Sequence, residues 1–387
     1  MPTQNFLKLN NLFKFFIIFF ILSCSFRNES LKRFFSDPSF ERNNSEKNTE
    51  QVLILSTNGF LGQLESLEEI FPGLPPIKVG GKDVFTSYID ITREKYPNVL
   101  FLDGGNILDP KTSDLSKTLE FYSTLGLDGV ALTDSDLNYL KDPILENKLP
   151  FINSNFMDLK SGKPFEMKGL SKSKIFEKGK IRIVVYSVIE PHSYSNLIEG
   201  IYVKDPIFSL LKEKEANEEE EEIHLNVLLV SLKTGCYSES PLEKKSFKDS
   251  ENFQLICPKN DELFKLISRL PPNFINLIIL NNNFFADGFI GQIPVIQNPG
   301  KGKYLSRINI TYDLLKKRIV TDKSEILPPL KTCHRFFAST EDCHLGKQEM
   351  SINEKKRIDL ILESGNKMVP AFYLGEKLQN WSNSITN

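Results

Sequence analysis

Histidine is scarce here: four in 387 residues, beside five cysteines and a single tryptophan. That scarcity bounds the chemistry, because polynuclear metal centres draw heavily on imidazole. An excess of one charge is missing as well. Forty-eight Lys and Arg against 50 Asp and Glu leave a net charge of -2. Such a chain has no bulk attraction to nucleic acid or to anionic lipid, and no nucleic-acid partner is expected. No internal repeat is visible. The apolar run "FFIIFFIL" (15 to 22) is too short for a stable membrane span. What is present is an ordinary globular composition, 40% hydrophobic, with 30 phenylalanines and enough length for one large domain or two modest ones.

The N-terminus reads as a leader. Lys8 and Lys14 form a basic n-region, and the apolar run stops at "ILSC". Ser23 before Cys24 resembles a bacterial lipobox, which would make Cys24 the acylated first residue of an exported, membrane-anchored lipoprotein. Residues 1–24 are then a signal peptide. Residues 25–50, rich in Asn, Ser, Glu and Lys, form a flexible tether. The globular part runs over 51–330, and 331–387 is a short Cys-containing extension. An oxidising compartment favours disulfides. Cys236–Cys257 and Cys333–Cys343 are the pairs closest in sequence, among three possible connectivities. Because His334 and His344 follow cysteines in "CHRFFASTEDCH", a metal or thiol redox site at Cys333 and Cys343 stays open as an alternative.

Apolar runs alternate with helical patterns. Strands are expected at 52–56, 99–103, 129–132, 150–155, 181–189, 226–232 and 275–280, and "IPVIQNPGKGKYLSRINITYD" (293 to 313) reads as two strands joined by a Gly-rich turn. Several runs are continuously apolar, as in strands covered on both faces. Helices are expected over 84–97, 115–126, 261–272 and 352–364. The acidic run 212–222 reads as a solvated loop or helix extension. The fold class is α/β with layered sheets.

The order of these elements resembles the calcineurin-like metallophosphoesterases, in the branch of the 5'-nucleotidases and UDP-sugar hydrolases. The landmarks are "NGFLG" (58 to 62), Gly80 and Gly81, Arg93, Pro97 and Asn98, "LDGGN" (102 to 106), "TDSDLN" (133 to 138), "SLKTG" (231 to 235), "INLIILNNNF" (275 to 284) and "NPGKGKYLSRINITYD" (298 to 313). The resemblance covers roughly 51 to 320. It implies an αββα sandwich and, for the family, a two-metal centre that activates water against a phosphoester. The ligand positions it points to hold Gly59, Leu61, Asn106, Asp134, Ser135, Leu232, Asn282 and Phe284. Leu, Gly and Phe offer a cation no donor atom, and neutral Asn106 is a poor bridge. Asp134 with Asp136 could gather at most one weak hard cation. His192, His224, His334 and His344 cannot be redistributed into several strand-end ligands. No catalytic residue, metal or cofactor is therefore expected. About 57 residues follow Leu330, too few for the family's further C-terminal domain.

The expected function is a non-catalytic binding or scaffold lipoprotein on the periplasmic or cell-surface side, with a protein or small-molecule ligand. The alternatives are a divergent hydrolase of phosphoesters or nucleotides, and a thiol redox protein.

Overall fold

The structure, a computed structural model, describes residues 48–70, 76–109, 114–139, 149–190, 200–220 and 222–333. Cys24, His192, His334, Cys343, His344 and the helix expected at 352–364 lie outside them.

In chain order the elements that build the cleft are β1 (Thr49–Thr57), α1 (Lys82–Lys95), β2 (Val99–Asp103), α2 (Leu115–Thr124), β3 (Gly129–Ala131) and α3 (Asp134–Tyr139). There follow β4 (Ile181–Ile189), α4 (Pro206–Glu220), β5 (Leu225–Ser231), α5 (Glu262–Arg269), β6 (Leu277–Leu280), β7 (Ile293–Ile296), β8 (Tyr304–Asp313) and β9 (Glu325–Lys331). Helix starts follow simple chemistry. Asp114 and Asp261 sit at the N-caps of α2 and α5 and accept from Lys117 N and Leu263 N.

A nine-stranded and a six-stranded sheet face one another. In the larger, β1, β2 and β3 are parallel, while β8 runs antiparallel beside β1 and pairs in turn with β9. In the smaller, β4, β5, β6 and β7 are parallel. Alternate residues of β1 divide between two cores. Val52 and Ile54 meet Ile183, Val227 and Ile279 between the sheets, and Leu53 and Leu55 pack on the outer layer with Phe85, Tyr88 and Phe121 of α1 and α2. A third cluster joins the other face of β4 to β6 with Ile207, Leu210, Leu263 and Leu266 of α4 and α5. Every central strand is thus apolar on both faces, which is why those runs read as continuous. The layering is α, β, β, α, as expected. Among the described residues, no helix is long and apolar enough to cross a membrane.

Some elements differ from their sequence reading. The expected strand 150–155 is two short strands, Phe151–Ile152 and Phe156–Asp158. Asn153 Oδ1 accepts from Asn155 N and Phe156 N and turns the chain between them. The two strands expected in 293–313 are present, β7 in the smaller sheet and β8 in the larger, so the Gly-rich turn between them crosses the sandwich. The start of the acidic run takes the helix extension of its two expected readings, as part of α4, with Lys214 paired to Glu218 one turn on. β1 begins at Thr49, ahead of Gln51, and β9 continues to Lys331.

Candidate functional site

Parallel strands place the loops after their carboxyl ends along one edge. Here both sheets deliver such loops to one cleft. The loop after β1 is tied to the loop after β2 by Gly59 N to Gly105 O (2.8 Å), Leu61 N to Asn106 O (3.1 Å) and Gly62 N to Ile107 O (2.8 Å). It is tied to the smaller sheet through Asn58, whose Nδ2 donates to Asn282 O (2.8 Å) and Asn298 O (3.1 Å). Phe60 anchors the loop from below. It is fully buried against Phe85, Phe121 and Tyr122, with ring centroids 5.4–5.5 Å away. Gly302, on the turn between β7 and β8, must be glycine for Phe60 to fit, since a Cβ there would lie 2.6 Å from the ring.

The positions singled out in the sequence meet here in part. Gly59, Leu61, Asn106 and Asn282 share the hydrogen-bonded loops just described. Ser135 Oγ donates to Asn106 Oδ1 (2.6 Å), which brings the start of α3 to the same place. Asn282 Nδ2 reaches Leu232 O at 3.3 Å, but the Leu232 side chain turns into the apolar cluster under the smaller sheet, and Phe284 packs on that cluster too. Asp134 is half-buried, and burial raises its pKa. Leu61 and Asn106 hold φ values of 53° and 56°. That left-handed region suits Asn, Asp or His far better than Leu. The loop therefore keeps a backbone posture that Leu61 does not prefer.

Asp136 does not face the cleft as a ligand. It is fully buried, and its oxygens accept from Asn106 N (2.8 Å) and Leu108 N (3.1 Å), with the Thr133 hydroxyl at 2.7 Å. Asp136 N in turn approaches Thr133 Oγ1, so Thr133 caps the start of α3. Burial pushes the Asp136 carboxyl up to about 6. Its neighbour Asp103 accepts from Gly105 N and from the Tyr122 hydroxyl, and burial pushes it up to about 8. These carboxyls hold loops together. The pairing of Asp134 with Asp136 around one cation is not what the structure forms, because the Asp136 oxygens are taken by backbone N–H groups.

A divalent metal pair does not fit the donors present. At the converging positions Gly59 and Leu61 supply nothing, and Asn106 Oδ1 already accepts from a serine hydroxyl. Among the described residues, no group of three or more His, Cys, Asp or Glu is placed to hold a metal. His224 is structural: its Nδ1 accepts from Arg182 N (3.0 Å), its ring packs edge-on to Tyr312, and burial lowers its pKa.

Cys236 and Cys257 form a disulfide, the expected pair. Cys333 is disulfide-bonded and fully buried, while Cys343, its expected partner, lies outside the described residues.

Sequence reasoning missed Asn281. It directly follows β6, and its side chain lies beside Gly104. The signal was the run of three polar residues, Asn281 to Asn283, directly after an apolar strand. It also missed buried Asp287, pushed up to about 7 by burial, which accepts from Gln297 N.

Comparison with solved structures agrees with this architecture. A 5'-nucleotidase precursor from Thermus thermophilus superposes with a TM-score of 0.51 at 17% identity, over 72% of this chain and 55% of that one. The NAD nucleotidase of Haemophilus influenzae gives 0.54 at 15% identity, over 83% and 57%. A calcineurin-like phosphoesterase of Bacillus subtilis gives 0.51 at 16%, over 73% and 91%. The chain spans a little over half the length of the first two. It has the metallophosphoesterase-like αββα fold. No family model and no curated protein matches the sequence.

Proposed function

We propose that this metallophosphoesterase-fold chain is a non-catalytic binding or scaffold module, exported and held at a membrane by lipid on Cys24. The observation that carries the reading is the cleft itself. The strand-end loops converge and are held by Phe60, Asp103 and Asp136, yet the ligand positions on those loops are filled by Gly59, Leu61, Asn106 and Asn282. This donor set can make hydrogen bonds. It cannot bridge two divalent cations or generate metal-bound hydroxide.

The test is elemental analysis of the full chain purified in detergent after growth with added manganese and zinc, together with phosphodiester and nucleotide hydrolysis assays. The expected result is no stoichiometric manganese, zinc or iron and no hydrolysis above background. A tightly held metal that disappears on Asp134→Ala would overturn the reading in favour of a divergent hydrolase. The anchor rests on Cys24 at the end of the apolar run. Cys24→Ser should move the protein from the membrane to the soluble fraction. A Cys24→Ser chain that stays with the membrane and is processed as before would remove the lipid.

A further inference from the structure

Asn281 is 4% exposed, and among the described residues neither its Oδ1 nor its Nδ2 has a hydrogen-bond partner. Its backbone is pinned, since Asn281 N donates to Val230 O at the end of β5. Its side chain passes over Gly104, where a Cβ would lie 3.6 Å from Asn281 Cβ. It ends opposite Gly59, where a Cβ would lie 3.9 Å from Asn281 Oδ1 and 3.1 Å from Asn283 Oδ1. The neighbouring amides are engaged: Asn58 Nδ2 on Asn282 O and Asn298 O, and Asn282 Nδ2 on Leu232 O. Asn281 therefore aims an unpaired amide at a residue with no side chain to meet it. A buried polar group left in that state is costly, and native proteins keep few of them.

The two orphan atoms together select a ligand class. An anion such as a phosphoester would pair with Nδ2 and be repelled by Oδ1. A cation would do the reverse. A neutral planar edge with a donor beside an acceptor satisfies both at once, as one amide pairs with another. Turning the amide over exchanges the atoms and leaves this unchanged. We infer that Asn281 is the recognition element of a binding site, beside Gly59 and Asn283, for a neutral ligand presenting an amide-type edge. A carboxamide, an N-acetyl group and a nucleobase edge share that chemistry. The inference rests on the reading of the cleft as metal-free, and names what the cleft binds.

The experiment uses the full chain in detergent, with chelator present, and measures thermal shift and ligand-observed NMR. Benzamide, N-acetylglucosamine and uracil distinguish the three sources of the edge. Benzoate, inorganic phosphate and manganese (added without chelator) are the charged comparisons. At least one neutral probe should bind and benzoate should not. Asn281→Leu, similar in size and without polar atoms, should weaken that binding on the order of tenfold or more, the loss of a paired amide. Its ligand-free melting temperature should be no lower than that of the parent, because the orphan atoms are gone. Should Asn281→Leu fail to fold, Gly59→Ala places a methyl opposite the amide and should also abolish binding. Binding of no neutral probe, or equal binding by the parent and the folded variants, would overturn the inference and leave the amide to a structural water. Preference for phosphate or benzoate would overturn it as well. Stoichiometric metal on the purified parent would instead overturn the proposed function, so the two failures are distinguishable.

Discussion

Gly59 is where the conformational and chemical arguments meet. Its φ of +53° is one that Asp or Asn tolerates, so an aspartate could stand there without breaking the loop. It would, however, set a carboxylate against Asn281 and Asn283 in a half-dry cleft. Combining Gly59→Asp with Leu61→His and Asn106→Asp should therefore lower stability in chelator, by about 1–3 kcal/mol, the size of unsatisfied polar burial. Thermal or denaturant unfolding with chelator present checks this. An unchanged or raised melting temperature would mean that the cleft is open and well hydrated. Phe60 is the opposite kind of residue, holding the loop without facing a ligand. Phe60→Ala should cost about 3–5 kcal/mol, the usual loss for a fully buried aromatic. A loss below about 1 kcal/mol would show that the surrounding rings close the gap.

Short α3 matters beyond its length, because its start is stitched to the loop after β2. Asp136 accepts from the backbone of Asn106 and Leu108 while its own N–H meets the capping hydroxyl of Thr133. Asp136→Ala leaves those N–H groups unpaired and should destabilise the chain by about 2–3 kcal/mol. Asp136→Asn should lose less, since one amide oxygen still accepts. Chemical denaturation of both variants separates a positioning role from mere volume, and equal losses would argue against it. The Cys236–Cys257 bridge closes a segment with a sequence separation of 21 between β5 and α5. In the chain-entropy picture, opening it should lower stability by about 3 kcal/mol. Denaturation of the paired Cys236→Ser and Cys257→Ser variant provides the measurement. These elements are readable in the sequence to different depths. The run Ile181–Ile189 is legible to its last residue because it is apolar on both faces. The stretch 150–155 misleads because Asn153 uses its own side chain to turn the backbone, which no period of apolar residues reveals.

At the scale of the whole molecule, buried carboxyls set the response to pH. Burial raises Asp103 to about 8, Asp287 to about 7 and Asp136 to about 6. Each binds its proton more tightly folded than unfolded. Their contribution is thus fully present below the ordinary carboxylate value of about 4 and is lost as pH rises through 6 to 8. Glu69 acts in the other direction. Burial alone would raise its pKa, but Lys331 and Lys303 together outweigh burial and lower it, so its stabilisation fades only in acid. Lys245 near Asp287 offsets part of the latter's shift. The expected net result is a lower melting temperature at about pH 8.5 than at about pH 5.5, at fixed ionic strength. Asp103→Asn should flatten that difference. A melting temperature that rises across this range would contradict the burial of these groups.

The α/β class with layered sheets and the scarcity of metal ligands were determined by the sequence alone, while the αββα order was what the resemblance implied. Apolar periodicity and residue inventory are local properties, and the strand-end positions fall at readable places in the chain. The cleft's present contents were decided by tertiary structure. Asn281 looks like one of three asparagines in a row until β6 is placed beside β2, and Gly104 and Gly59 are seen to leave it room. Asp136 looks like a possible ligand until the loop after β2 folds back and occupies its oxygens. Both outcomes depend on contacts between segments far apart in the chain, and hydrogen-bond satisfaction in a buried site is a property of those contacts rather than of any one segment.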